Sequence, residues 1–158
     1  MNSRNKKIFS IIRIVIFLII LAGIQISFIN PSFIKINLFL ILVLYLILIK
    51  YNKLAIIFAW SGGILIGINS FLNFGVNSLI LLVVAAVFII LSKTTFLNLT
   101  TKSIVLIGIS GALLYHLLTW VLTGGGNFSY FFNNGILMEL ILTPIALKIF
   151  LSFKIRNV

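Results

Sequence analysis

Six apolar runs, set apart by short polar turns or by lysine and arginine, constrain this chain more than any other feature; they cover about residues 8–29, 33–49, 54–70, 76–91, 103–122 and 135–151. A backbone buried in lipid must satisfy its own N–H and C=O groups, and runs of this length do so as helices. The expectation is an all-α, polytopic membrane protein, a single domain over residues 1–158 built as a six-helix transmembrane bundle. Composition points the same way: 62% of the residues are hydrophobic, 8% are charged and the mean hydropathy is +1.32, too apolar for a surface in water. Several runs fall short of the ~20 residues that a straight crossing needs, which implies a thin or locally compressed fit.

The charges set the orientation. With six spans, Arg4, Lys6, Lys7, Arg13, Lys50, Lys53, Lys93, Lys102, Lys148, Lys154 and Arg156 fall on the side of the N-terminus, and Lys35 alone falls outside. The positive-inside rule then makes both termini cytoplasmic and puts the 123–134 loop outside. Merging runs into fewer spans would scatter these charges over both faces. A basic start before an apolar run also suits a signal peptide, but the first run is long enough to span, lacks a convincing small-x-small cleavage site and precedes only more membrane. It reads as a retained first helix. The net charge of +11 is dispersed in ones and twos beside apolar runs, so it reads as topology signal and as contacts to anionic membrane lipid. Nucleic acid, which asks for a clustered basic face, is not an expected partner.

Catalytic chemistry has little to work with. The chain holds no cysteine, one histidine and one acidic residue, which excludes thiolate chemistry, paired carboxylates, a Ser-His-Asp triad and a multi-ligand metal site. No catalytic residue, cofactor or metal is expected, and the chain does not read as an enzyme. Residues 123–134, TGGGNFSYFFNN, are glycine-rich, but no Lys-Ser/Thr follows, so the phosphate-loop reading fails. Their aromatics suit the headgroup level of a membrane.

Two small-residue stripes stand out. Ala59, Gly63 and Gly67 fall four apart within the stretch Trp60–Gly75 and its approach, and Gly108, Ala112 and His116 do the same in the fifth run. In lipid, helices associate mainly by close packing, and small residues let backbones approach. These five small residues are the expected helix-packing face, within the chain or toward another protein. A polar pair is expected beside it. Glu139 lies about four residues, or ~6 Å, into the sixth run, and His116 about six residues, or ~9 Å, from the outer end of the fifth. Two helices joined by an outer loop run antiparallel, so the two side chains share a depth where an ionisable group is costly against lipid. Snorkelling of Glu139 to the outer headgroups is the competing reading, and Thr143 and Lys35 are rival partners.

Four stretches stand together: Ile36-Asn37-Leu38-Phe39-Leu40-Ile41-Leu42-Val43 after an outer turn, Gly63-x3-Gly67-x2-Ser70-x4-Gly75, Leu113-Leu114-Tyr115-His116, and Asn134-Gly135 with Thr143-Pro144. In them the chain resembles the MreD family of bacterial rod-shape proteins, whose central pattern is G-x3-D-x2-S-x4-G. Gly67 stands where the family usually has Asp, with Asn69 two places on, so a role carried by that acid does not transfer. The resemblance implies a bacterial plasma-membrane component of the cell-wall elongation machinery, working with MreC, the actin-like MreB and the peptidoglycan synthases, without catalysis or cofactor. It also implies a fold similar to the substrate-binding subunits of energy-coupling vitamin transporters.

Two functions follow. One is a non-enzymatic membrane scaffold. The other is a small-molecule carrier subunit, which needs several polar groups converging inside the bundle; only Gln25, Asn69, Asn77, His116, Glu139 and Thr143 are available for that. The sparse inventory favours the scaffold.

Overall fold

The computed structural model describes residues 16, 19–21, 23–25, 36–68, 75–94, 100–124 and 134–155. Five helices run through them: α1 (Leu38–Leu48), α2 (Asn52–Ile68), α3 (Val76–Thr94), α4 (Thr101–Leu122) and α5 (Asn134–Ile155). The described residues of the first run are also helical, and there is no strand among the described residues. Arg13, Lys35, Asn69, Ser70, the Asn30–Ser32 turn and most of the 123–134 loop lie outside them.

The shortest helix is the hub. α1 has 11 residues, of which Phe39, Leu40, Ile41, Val43, Leu44, Leu46, Ile47 and Leu48 are buried. It packs against all four other helices, while α2 pairs chiefly with α3, and α4 with α5. Apolar side chains all round are what a helix surrounded by others requires. The second run was expected to be helical from about residue 33; residues 33–35 lie outside the described residues, and Ile36 and Asn37 precede α1, which begins at Leu38. The Asn37 side chain explains the start, since it accepts a hydrogen bond from the Leu40 N–H at 3.0 Å and so caps the helix. At the other end the Lys50 N–H reaches the Ile47 carbonyl and the Tyr51 N–H the Leu46 carbonyl, at 2.9 and 2.8 Å. This paired closure needs a left-handed residue, and Lys50, at φ 64°, takes the place that glycine usually fills.

Several other boundaries extend beyond the apolar runs, while Val76 and Leu122 stand where their runs begin and end. α3 continues through Lys93 to Thr94, and α4 starts at Thr101 because Thr100 caps it, its hydroxyl oxygen accepting from the Ser103 N–H at 3.2 Å. Lysine and threonine end an apolar run without ending a helix. α5 continues past Pro144 to Ile155. That proline removes the N–H that would reach the Leu140 carbonyl, yet membrane-type helices tolerate such a gap where neighbours pack closely.

Much of the described surface is apolar. Ile56, Ile57, Trp60, Ile68, Leu79, Ile90, Leu106, Leu117, Ile141 and Ile149 all point outward, a surface that lipid matches and water does not. Thr101–Leu122 and the stretch Gly135–Ser152 are long and apolar enough to cross a membrane; Leu38–Leu48, Asn52–Ile68 and Val76–Ser92 are apolar but shorter.

Candidate functional site

The described buried polar side chains, Asn37, Asn77, Ser78, His116, Glu139 and Thr143, gather toward one end of the bundle. That end holds the starts of α1, α3 and α5 and the last third of α4. The lysines Lys50, just past the end of α1, Lys53 at the start of α2, Lys102 at the start of α4 and Lys148 in the second half of α5 are exposed and lie away from that end.

At the centre is Glu139, only 2% exposed. Its Oε2 lies 2.8 Å from His116 Nε2, and its Oε1 accepts the Asn37 N–H at 3.2 Å. Gln25 joins the same helix end, its Oε1 accepting the Leu38 N–H at 2.8 Å. Three N–H groups at the start of α1 are thus satisfied by three side chains: Glu139 from α5, Gln25 from the first run, and Asn37 itself. The physical need is plain. A helix start inside an apolar layer has no water for its leading N–H groups, and each one left unmet costs several kcal/mol, on the order of 4. The positive end of the α1 dipole in turn favours a carboxylate there. Glu139 is turned inward and does not snorkel. Thr143 is fully buried one turn further along α5, and its hydroxyl makes no hydrogen bond among the described residues.

A second polar contact ties α3 into this end. The Tyr115 hydroxyl donates to Asn77 Oδ1 at 3.4 Å, and the Ser78 hydroxyl donates to the Trp60 carbonyl of α2 at 2.9 Å. Tyr115 and His116, adjacent in α4, therefore reach two different helices.

The small residues sort into tight and loose positions. A Cβ on Gly63 would collide with the backbone of Ser78, and one on Gly108 with the backbone of Pro144. Ala59 and Ala112 are fully buried. Gly67 is different: although buried, among the described residues its nearest neighbour to an added methyl is the Gly75 nitrogen at 3.8 Å, which is ordinary contact. Two glycines outside the four-residue stripes pack as tightly as those within them. Gly62 lies on the Phe39 ring and Gly111 on the Leu44 side chain, so both face α1. Sequence spacing missed them because a helix packed on two sides carries small residues on two faces.

Each oxygen of the Glu139 carboxylate has a partner within the protein, the Asn37 N–H on one side and His116 Nε2 on the other. Among the described residues there is no group of three His, Cys, Asp or Glu that holds a metal ion. Asn37 is a capping residue that sequence reasoning gave no role at the site, and Gln25 was named only among the polar groups available to a carrier, not as a cap. The Asn immediately before an apolar run is an N-cap signature that would have found Asn37; nothing in the sequence marks Gln25 as its neighbour. No protein-family model, curated protein or solved structure matches the chain.

Proposed function

We propose that this protein is a non-enzymatic scaffold of the bacterial plasma membrane, belonging to the cell-wall elongation machinery as its resemblance to MreD implies. In this reading the five described helices and the first apolar run make six spans, with both termini cytoplasmic. MreC-like proteins and peptidoglycan synthases are its partners, together with anionic lipid at the lysine-bearing end. The carrying observation is how the buried polar groups are used. Glu139, His116, Asn37 and Gln25 are engaged with one another and with the start of α1. A carrier for a polar solute would keep such groups turned toward a cavity, whereas a scaffold uses them to fix its helices.

Two experiments test this. Depletion in a rod-shaped host without a second copy is expected to give rounded or widened cells with vitamin and metal uptake intact; normal rods would refute the reading. For topology, reporter fusions after Asn127 and at the C-terminus are expected to report outside and inside respectively, and a cytoplasmic signal at Asn127 would overturn the six-span arrangement.

A further inference from the structure

Two open grooves on the described surface differ in what stands at their mouths. One lies between α2 and α3, with Trp60 and Ile64 on one side, Leu79, Leu82 and Val83 on the other, and no charged residue among its described lining. The other runs along α4, where Val105, Leu106, Ile109 and Leu113 line it and Thr101 and Lys102 stand at its mouth. Ser110 also lies in it, but its hydroxyl donates to the Leu106 carbonyl at 2.6 Å, so the described lining is apolar beyond the mouth. The 11 residues from Lys102 to Leu113 rise ~16 Å, about half of the ~30 Å hydrocarbon core. Ile107, Gly108, Gly111 and Ala112 take the other face of α4 into the bundle. A transmembrane helix of another protein would cross the whole core, and its seat would follow α4 along all 22 residues. An acyl chain belonging to one leaflet has the shorter reach that the groove has.

The mouth of the α4 groove carries positive charge that no acidic side chain of this protein answers. Lys102 is exposed, and the first turn of α4 holds no acid. A cation at the start of a helix is disfavoured by the helix dipole, which adds to the demand for an anion there. The one acidic side chain in the chain, Glu139, is engaged by His116, 14 residues or ~21 Å further along α4. We propose that the α4 groove seats one anionic phospholipid, its phosphate held at Lys102 and Thr101 and one acyl chain lying along Val105, Leu106, Ile109 and Leu113. The lysine stem lies against apolar surface while its ammonium reaches the headgroup level, and the threonine hydroxyl donates to a phosphate oxygen. The seat rests on the membrane placement proposed above, and narrows the anionic lipid of the lysine-bearing end to one groove.

The absence of cysteine allows a local test in phosphatidylcholine vesicles at low salt. A bimane fluorophore is placed at Leu117→Cys, exposed one turn past the groove on the same face of α4, or at Leu79→Cys, exposed in the uncharged groove. The quenchers are phosphatidylglycerol and phosphatidylcholine, each with a nitroxide near the end of one acyl chain. At Leu117 the phosphatidylglycerol is expected to quench at about fivefold lower mole fraction than the phosphatidylcholine, the scale of one lysine at an anionic headgroup. At Leu79 the two lipids are expected to quench alike. Lys102→Gln is expected to abolish the preference at Leu117, and Lys148→Gln to leave it. Ile109→Trp, which fills the groove from an exposed position, is expected to reduce quenching at Leu117 by both lipids. An equal preference at the two labels, a preference that survives Lys102→Gln, or quenching indifferent to Ile109→Trp would each overturn the seat. So would protection of Leu117 from both lipids that is relieved by diluting the protein in the vesicles, which would give the groove to a second copy. Labels quenched by neither lipid at either position would instead place these helices outside the bilayer and defeat the membrane reading itself. A normal cell shape on depletion would defeat the scaffold reading and leave this result untouched.

Discussion

The α2–α3 and α4–α5 pairs solve the same problem by different means. Helices in lipid gain little from apolar burial against each other, so something else must hold them. Between α2 and α3 it is shape: Gly63 brings α2 onto the backbone of Ser78, and the Ser78 hydroxyl reaches the Trp60 carbonyl. Between α4 and α5 shape is supplemented by charge. Gly108 meets Pro144, and nearer the polar end His116 meets Glu139. The difference lies in what each failure would cost. A shape contact fails by steric collision, whereas a buried carboxylate fails by leaving donors unmet in two other helices.

That comparison breaks first at its largest expected effect. Gly63→Leu is expected to lose about 3 kcal/mol or more, since backbone lies where the side chain must go. Gly67→Ala, with a methyl's room at 3.8 Å, is expected to stay within about 0.5 kcal/mol of the native protein. Unfolding of both variants in detergent measures this, and a larger loss at Gly67 than at Gly63 would reverse the assignment of tight and loose positions. Next comes the charged contact. Glu139→Ala and His116→Ala are each expected to destabilise by about 2 kcal/mol. Their double-mutant cycle is expected to show a coupling of about 1–2 kcal/mol; simple additivity would mean that the 2.8 Å contact contributes nothing specific.

Smaller effects sharpen the same contrast. Ser78→Ala removes one interhelical hydrogen bond to a carbonyl that also serves the α2 ladder, so about 0.6 kcal/mol is expected from equilibrium unfolding. A loss as large as that for Glu139 would show that α2–α3 depends on polar contact after all. The last change lies outside both pairs. Lys50→Gly relieves a left-handed lysine at φ 64° and is expected to stabilise by about 1 kcal/mol, visible as a small rise in melting temperature. No rise would mean that the lysine side chain offsets its own backbone strain.

Much of this was legible in the chain, for reasons that can be stated residue by residue. Long apolar runs mark helices because lipid leaves the backbone no other partner, and the single Glu and single His had to find each other or solvent. Their shared depth followed from an antiparallel connection alone. Gly63 and Gly108 were legible as small, but spacing marks a face and not its neighbour, so it ranked Gly67 with them and passed over Gly62 and Gly111. The start of α1 was illegible for a different reason. Hydropathy counts Ile36 as readily as Leu38, while the helix begins where Asn37 can cap it. Gln25 was least legible of all, since a tertiary cap across the 13 residues to Leu38 leaves no local pattern.

The cap on α1 also has a consequence in time. Asn37 waits for a partner that lies 102 residues later in the chain. At ordinary translation speeds of roughly 5–20 residues per second, that wait lasts on the order of 5–20 s. Through that interval the hub helix has been synthesised without the acid that finishes it, so its leading amide must find another partner. The bundle therefore cannot be completed helix by helix in chain order. Its central helix is among the first made and the last completed, and a ribosome stalled before Glu139 would leave a chain with its hub in place and unsealed.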